Sequence, residues 1–335
     1  MPVGVGLIGL GMATAPHMLA LRDLASEGKV SIVGGFSPSH GRREAFAERW
    51  KAPVFATQEE LLAQPELGLV LILTPPGTHL AVAEAVARSG RAMIVEKPVE
   101  VSVQRGETLA DLAEQHGVAC GICLQHRFRP AALRLRQALQ DGELGRILSA
   151  SASIRWWRDA AYFAEPGRGT RARDGGGVLL TQAIHTIDLL LHLVGPHRSL
   201  AGFAVTSPLR RIDTEDIVAA ALQFENGAIG VLDATTVARP GYPERIEIAG
   251  TEGSAVLVGS HLTLHGRGGA PETLGAAAVS GGADPMAFDH GPHRALIADV
   301  LEAMATGRAP ACDVRSALAV QRLIEDLLKD SERRA

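Results

Sequence analysis

The stretch VGVGLIGLGMATAPHMLALRDL, residues 3–24, passes from an apolar strand through a glycine turn into a helical pattern. Gly9 and Gly11 occupy the first two glycine positions of a G-x-G-x-x-G fingerprint, and Thr14 stands at the third. The first glycine permits a tight turn, and the second lets the backbone approach a pyrophosphate at the helix N-terminus. The stretch therefore predicts the start of a dinucleotide-binding domain, with Met12 beside the cofactor.

Strands and helices alternate further along the first third of the chain. Apolar strand-like runs and helical patterns follow one another at 30–37, 41–50, 67–74, 77–90, 91–96, 102–116 and 118–124. Such alternation implies parallel strands joined by crossover helices. We expect an α/β fold whose first domain, residues 1–123, is a doubly wound parallel Rossmann sheet.

Length, composition and charge narrow the class of protein. A chain of 335 residues suits two domains, and 46% hydrophobic with 21% charged residues is ordinary for a soluble globular protein. The formal net charge of -4 gives no reason to bind nucleic acid or an anionic membrane. No apolar run approaches the ~18 residues of a membrane span, and no basic segment precedes the first apolar stretch. We expect a cytoplasmic protein.

The three cysteines are too few for a disulfide framework. Cys120 and Cys123 form a C-x-x-C pair inside an apolar run, and Cys312 stands alone. A zinc site would need partner ligands, and no second C-x-x-C follows. The cysteines are interpreted as core residues, and no metal site is predicted.

The end of the second strand bears on the choice of cofactor. A carboxylate there normally binds the ribose 2'-hydroxyl, but Ser37 stands in its place, followed by Arg42 and Arg43. A small hydroxyl near guanidinium groups would accept a 2'-phosphate, so the predicted cofactor is NADP or NAD, with NADP slightly favoured. The alternative is that both arginines lie on a solvated helix face.

Two later strands end in polar residues that would line the same crevice. In TPPGTH, the predicted cofactor contacts are Thr74, Pro75 and His79, although the prolines could simply shape a turn. In EKP, Glu96 and Lys97 are predicted to contact the cofactor. Beside a nicotinamide, Lys97 could donate a hydrogen bond to substrate and stabilise negative charge during hydride transfer. The alternative is an ordinary surface lysine.

A second motif, DGGGVLLTQAIHTIDLLLHLVG at 174–195, places a histidine on a helix expected to begin at about Val178. The glycines permit a close approach to cofactor or substrate. His185 could take the hydroxyl proton or return it, because its unperturbed pKa is near neutrality; a satisfied core histidine is the alternative. Asp188 could orient this imidazole or bond to backbone.

The glycine turn, EKP after the fifth strand and G-G-G-x-L-x-x-x-x-x-H-x-x-D together resemble the Gfo/Idh/MocA family of NAD(P)-dependent oxidoreductases. The resemblance covers nearly the whole chain. It implies a dehydrogenase or reductase that acts on sugars, sugar derivatives or cyclitols. It also implies a C-terminal α/β domain, assigned to 124–335, with an open and mainly antiparallel sheet whose outer face often supports homodimers or homotetramers.

One position departs from the family's lysine-aspartate-histidine set, because Thr181 stands four residues before the histidine. A threonine cannot accept a proton at neutral pH, so proton handling is assigned to Lys97 and His185. GGGVLLTQAIH resembles a branch that includes nucleotide-sugar 3-dehydrogenases and dihydroxyphthalate dehydrogenases. Gln182 is then a candidate contact to cofactor or substrate.

Arginines and aromatic residues alternate between 155 and 177. Arg158 and Arg168 are the first candidates to clamp an anionic substrate group, and Tyr162 is a further candidate contact. Single-stranded nucleic acid binding is the disfavoured alternative, given the net acidic chain. The rest of the chain predicts hairpin-joined strands within 146–157, 216–237 and 244–266, and a glycine-rich loop at 266–283. It also predicts helices at 287–306 and 313–330, which could pack back toward the first domain.

The leading interpretation is an oxidoreductase that interconverts a secondary hydroxyl and a ketone on a polar, possibly anionic ring. Some relatives of this fold instead keep NAD tightly bound and use transient oxidation to eliminate a glycoside, so they behave as hydrolases. A third interpretation is a regulator that binds the dinucleotide but catalyses no reaction. It should lack the proton-handling pair.

Overall fold

The computed structural model describes residues 1–268, 270–276 and 289–334. The described residues form two compact units, residues 1–125 with 289–318 and residues 126–276 with 319–334. The chain first passes from one unit to the other after Gln125, two residues beyond the predicted domain boundary at residue 123. Most of the predicted glycine-rich loop and the start of the helix predicted at 287 lie outside the described residues.

Strands and helices alternate through the first 125 residues: β1 (Val3–Ile8), α1 (Thr14–Ser26), β2 (Val30–Phe36), α2 (His40–Trp50), β3 (Val54–Phe55), α3 (Gln58–Leu62), β4 (Leu67–Ile72), α4 (His79–Arg88), β5 (Ala92–Val95), α5 (Val103–Gln115) and β6 (Cys120–Ile122). The central strands are almost wholly buried apolar runs, as expected of a parallel sheet covered on both faces. Ser39 and Ser102 are the N-cap residues of α2 and α5. Their side chains accept hydrogen bonds from backbone N–H groups in the first turns of these helices.

The first sheet has the order β3-β2-β1-β4-β5-β6, with every pair of neighbouring strands parallel. This order is that of a Rossmann fold and confirms the predicted fold of the first domain. Its strand order reverses between β1 and β4. The carboxyl ends of β1, β2, β4 and β5 meet at one edge, where the fold forms its ligand crevice.

The remaining elements in chain order are α6 (Pro130–Gln140), β7 (Ile147–Arg155), α7 (Ala160–Phe163), α8 (Arg171–Asp174), α9 (Ile184–Val194), β8 (His197–Val205), β9 (Ile217–Phe224), β10 (Ile229–Thr235), β11 (Arg245–Gly250), β12 (Ser254–Val258), β13 (His261–His265), β14 (Glu272–Leu274), α10 (Gly291–Thr306) and α11 (Val314–Arg334). A π-helical turn, Leu179–Ala183, runs directly into α9. The helix predicted from about Val178 is therefore present, with its first turn wider than an α-helix.

The second sheet has the order β14-β13-β12-β11-β7-β10-β9-β8. Only β7 and β10 pair in parallel among its described strands, so the sheet is mainly antiparallel, as predicted. Buried and exposed residues alternate along β9 and β10, which leaves one face toward the core. Asn226 and Gly227 form the hairpin turn between these strands, with Gly227 at φ +88°.

One described helical stretch, Arg171–Val194, is long and apolar enough to cross a membrane by length and composition alone. This differs from the expectation that no run reaches that length. Of its most apolar window, 83% is buried inside the protein, as in a core helix. The finding is therefore weak support for a membrane span.

A partly buried histidine on α9 predicts loss of stability in acid. Burial, followed by the charges of Arg127 and Arg136, lowers the pKa of His192 to about 3. The unfolded chain, with an ordinary histidine pKa near 6.5, binds the proton more readily, so stability falls as the pH drops from about 6.5 toward 3. At pH 5 this amounts to about 2 kcal/mol. Thermal melting at pH 7 and pH 5 measures it.

His192→Gln keeps a hydrogen-bond acceptor beside Arg136 but cannot titrate. Its melting temperature should fall less than that of the wild type between pH 7 and pH 5. His116→Gln, at an exposed histidine, is the matched control and should follow the wild type. An equal fall in all three proteins would contradict the assignment.

Candidate active site

The glycine turn after β1 leaves room for a dinucleotide. Gly9 has φ +99°, and a Cβ there would lie 2.6 Å from the carbonyl carbon of Leu73, so only glycine fits. At Gly11, an added Cβ would meet no described atom within 4 Å. Met12 is 63% exposed beside it, whereas Thr14 is buried at the third glycine position. The open backbone at Gly11 is what a bound pyrophosphate requires.

The polar residues that follow β2 differ in their exposure and hydrogen bonds. Ser37 is 2% exposed, and its carbonyl oxygen accepts a hydrogen bond from Arg43 at 2.6 Å. Arg42 is exposed, and its backbone N–H donates to the capping hydroxyl of Ser39. Of the two predicted cofactor contacts after β2, Arg42 is therefore exposed and Ser37 is buried.

The side chain of His79 contacts the backbone of the loop after β4. Its Nε2 lies 2.9 Å from the carbonyl oxygen of Thr74, and its Nδ1 lies 3.1 Å from the carbonyl oxygen of Pro98. His79 is completely buried, so its position differs from the predicted contact with a cofactor. Thr74 and the exposed Pro75 form the surface of this loop. His79 thus ties the Thr74 loop to the segment that carries Lys97.

Lys97 follows β5 beside a buried carboxylate. Glu96 accepts a hydrogen bond from the backbone N–H of Lys97 at 3.0 Å and lies 2.8 Å from Nε2 of His17. Burial opposes ionisation of Glu96, but the hydrogen bond and charge of His17 outweigh it and hold the pKa of this carboxyl well below its usual range. Burial also lowers the pKa of Lys97, against the opposing effect of Glu96.

The glycine turn of the second unit packs against an acidic residue that the sequence did not single out. Glu215 accepts hydrogen bonds from the backbone N–H groups of Gly177 and Leu179, each at 3.1 Å. A Cβ on Gly177 would lie 1.9 Å from the carbonyl oxygen of Glu215. Gly177 therefore approaches Glu215 closely, which differs from the predicted approach to cofactor or substrate, and Gly175 supplies a turn with φ +76°.

His185 lies in the first turn of α9, against a second histidine. The rings of His185 and His126 have centroids 4.8 Å apart and planes tilted by 31°. His126 is 6% exposed, and its Nε2 lies 2.6 Å from the guanidinium of Arg129. Because a guanidinium is donor-only, this nitrogen of His126 accepts the bond. An anchored ring therefore covers one side of His185.

Asp188 belongs to a buried ion pair. Its two carboxylate oxygens accept hydrogen bonds from Arg127 at 2.5 and 2.7 Å, and both side chains are at most 5% exposed. Burial raises the pKa of Asp188, and the bonds from Arg127 oppose that rise. This geometry supports a structural role for Asp188.

Three predicted substrate contacts of the second unit lie around the ring of a fourth, Tyr162. The guanidinium groups of Arg168 and Arg158 lie 4.4 and 5.4 Å from the ring centre of Tyr162. Gln182 donates to the hydroxyl of Tyr162 at 3.0 Å and accepts a hydrogen bond from Thr181. Arg158 is 5% exposed, and burial lowers the pKa of its guanidinium. Arg168 also pairs with a glutamate, Glu165 on the same loop.

A cavity of about 700 Å³ lies away from these residues. Its lining includes Gly68, Ala92 and Cys120, at the amino ends of β4, β5 and β6. None of the predicted site residues line it. The crevice of a Rossmann sheet lies at the opposite edge, so this cavity is not the expected cofactor site.

Comparison with known proteins agrees with this architecture. The model of an oxidoreductase family with an NAD-binding Rossmann fold matches residues 3–123, and that of the GFO/IDH/MocA C-terminal domain matches residues 132–256. Myo-inositol dehydrogenase Hyg17 of Streptomyces leeuwenhoekii is 30% identical over 258 residues, which is 75% of each chain. The chain belongs to the Gfo/Idh/MocA family.

Two further proteins are also similar to this chain over most of its length. The scyllo-inositol 2-dehydrogenase (NAD(+)) of Bacillus subtilis (strain 168) is 26% identical over 275 residues, which cover 78% of this chain and 76% of that protein. The WlbA dehydrogenase of Bordetella pertussis, solved with NADH and UDP-GlcNAcA, has a TM-score of 0.85 at 24% identity and covers 100% and 98% of the two chains. This Gfo/Idh/MocA protein is an NAD(P)-dependent dehydrogenase or reductase acting on CH–OH groups.

Proposed function

We propose that this enzyme interconverts a secondary hydroxyl and a ketone on a cyclitol, sugar, sugar acid or related cyclic diol. The observation that carries the proposal is the shared edge of the first sheet, where the open turn at Gly11 and the Lys97 segment follow β1 and β5. The inositol dehydrogenases to which the chain is similar support a polyol ring as substrate. The cofactor, when bound, supplies the hydride acceptor or donor.

Lys97 and His185 are proposed to handle the proton. In oxidation, Lys97 donates a hydrogen bond to the substrate oxygen and stabilises its developing negative charge. His185 takes the hydroxyl proton, and in reduction it returns that proton to the carbonyl oxygen. The covering ring of His126 fixes the His185 imidazole on one side, which favours a single orientation for this transfer.

An anionic group on the substrate is proposed to bind at the cluster around Tyr162. Arg158 and Arg168 approach this ring, and two guanidinium groups there suit a carboxylate or phosphate. Gln182 adds an amide beside the Tyr162 hydroxyl. A sugar acid or a phosphorylated sugar is therefore preferred to a neutral ring as the first compound to screen.

The test of the function is turnover by full-length protein. Cyclitols, sugars and sugar acids are offered with NADP⁺ or NAD⁺, and formation of reduced nicotinamide is followed by absorbance. We expect oxidation of at least one polyol, with tighter binding of NADPH than of NADH. No oxidation, together with a stoichiometric NAD that is released only on denaturation, would favour transient internal redox instead.

The cofactor preference is tested at Arg42. Arg42→Ala should weaken NADPH binding about tenfold and leave NADH binding unchanged, because only NADPH offers the 2'-phosphate. Arg49→Ala, near the other end of α2, is the matched control. Equal losses for both nucleotides would contradict the NADP preference.

We propose that the enzyme is cytoplasmic and forms a homodimer or homotetramer. The outer face of the second sheet is proposed as the contact between copies. Phe203 and Val205 on β8, with Ile229 and Val231 on β10, are each 48–59% exposed. Residues two apart on a strand share one face, so these side chains form apolar stripes rare on a monomer surface. Light scattering tests the assembly; a monomer would contradict it.

A further inference from the structure

Four side chains of types that bind transition metals lie together inside the first unit. They are His17 on α1, Glu96 after β5, Cys123 after β6 and His293 in the first turn of α10. Each offers one ligand atom, and the four atoms lie within 4.8 Å of one another. His17, Cys123 and His293 are at most 5% exposed, and the side chain of Glu96 is 13% exposed.

We propose that these four residues form a binding site for one Zn²⁺ ion. Two imidazoles, a thiolate and a carboxylate are the ligand types that zinc takes in four-coordinate protein sites. A closed set of four protein ligands is typical of a structural zinc site, with no position left for a reacting water.

The distances in the cluster are close to those of a tetrahedral site. Zinc–ligand bonds of about 2.0 to 2.3 Å place the ligand atoms roughly 3.3 to 3.8 Å apart. Nε2 of His17 lies 3.8 Å from Sγ of Cys123 and 2.8 Å from Oε1 of Glu96. To reach these distances, the closest pair of ligand atoms would move apart by about 0.5 Å and the most distant pair would approach each other by about 1 Å. Side-chain rotation can supply both movements.

The charges and the hydrogen bonds of the cluster also suit a metal ion. A thiolate and a carboxylate balance the charge of Zn²⁺, so the occupied cluster would be neutral. Nδ1 of His293 is buried and has no hydrogen-bond partner among the described residues. Buried nitrogens without partners are rare and call for an ion or a water nearby. Burial raises the pKa of Cys123 well above its usual value, so metal binding would displace the thiol proton.

The C-x-x-C pair contains both a ligand and its control. Cys123 belongs to the cluster, whereas the other cysteine of the pair, Cys120, lines the cavity at the opposite ends of the strands. Both thiols are buried and neither is in a disulfide. Cys120→Ser and Cys123→Ser therefore make the same change at similar depth, and only the second removes a proposed ligand.

The test uses full-length protein that has been dialysed against a chelator and titrated with Co²⁺, a coloured substitute for Zn²⁺. We expect one equivalent to bind with the visible bands of tetrahedral Co²⁺ and a thiolate-to-cobalt band in the near ultraviolet, all displaced by Zn²⁺. Cys120→Ser should keep the thiolate band, and Cys123→Ser should lose it. Zn²⁺ should raise the melting temperature of the wild type and Cys120→Ser but not of Cys123→Ser.

A histidine pair provides a second test if Cys123→Ser does not fold. His293→Gln should weaken Co²⁺ binding by about 100-fold or more, whereas His290→Gln, at a neighbouring histidine outside the cluster, should leave it unchanged. The proposal is overturned if no stoichiometric tetrahedral spectrum forms. It is also overturned if the thiolate band survives in Cys123→Ser or if His293→Gln binds Co²⁺ as the wild type does.

Discussion

Replacing Lys97 by methionine should lower kcat by a factor of about 10² to 10⁴ while dinucleotide binding stays near that of the wild type. Methionine keeps most of the apolar stem but removes the ammonium group that is proposed to stabilise charge on the substrate oxygen. Steady-state kinetics on the polyol that is turned over fastest gives kcat, and titration with reduced nucleotide gives cofactor affinity.

The exposed Lys29 provides the control, since Lys29→Met makes the same change on a side chain that pairs only at the surface with Glu27. His185→Ala should cause a loss of kcat in the same range as Lys97→Met, with His265→Ala, at an exposed histidine, as its control. Wild-type kcat in Lys97→Met or in His185→Ala would remove that residue from the proposed mechanism.

Replacing Asp188 by alanine should lower the free energy of unfolding of the second unit by about 3 to 5 kcal/mol. The change leaves the guanidinium of Arg127 buried without the carboxylate that it bonds at 2.5 and 2.7 Å. Urea unfolding followed by circular dichroism measures the loss. The two units can unfold in separate steps, so the transition assigned to the second unit is the one to compare.

The matched control is Asp233→Ala, which breaks the half-exposed pair with Arg155 and should cost about 1 kcal/mol or less. Removing both buried charges, in the double variant Arg127→Met with Asp188→Leu, should recover part of the loss because no unpaired charge remains. A loss at Asp188 no larger than at Asp233 would show that the buried pair is not a main support of α9.

The strands that could be predicted from the sequence and those that could not differ in how they are buried. Long apolar runs such as β4 and β5 are covered on both faces and stand out in any reading of the chain. β3 has only two residues, β8 begins with His197 and Arg198 on an edge of its sheet, and β14 lies in a stretch predicted as a glycine-rich loop. Pairing with a neighbouring strand defines these three, and composition does not show it.

The same distinction holds for the site. Gly9, Gly11 and Lys97 could be predicted because a local turn or strand end requires them. Glu215 could not, since its partner Gly177 is 38 residues away and nothing near Glu215 marks it. The four proposed metal ligands, Cys123 among them, come from four separate segments, and only the folded chain brings them together.

The π-helical turn before α9 has a consequence for insertions and deletions. Such a turn holds one residue more than the α-helical path. Deleting one residue within Leu179–Ala183 would remove this extra residue and let the α-helix run continuously, so the glycines before the turn and α9 after it would keep their orientation. The buried stripe of α9 would keep its phase while Thr181 and Gln182 changed theirs. A one-residue change in chain length at this turn is therefore a direct way to alter which side chains accompany His185 without redesigning the core.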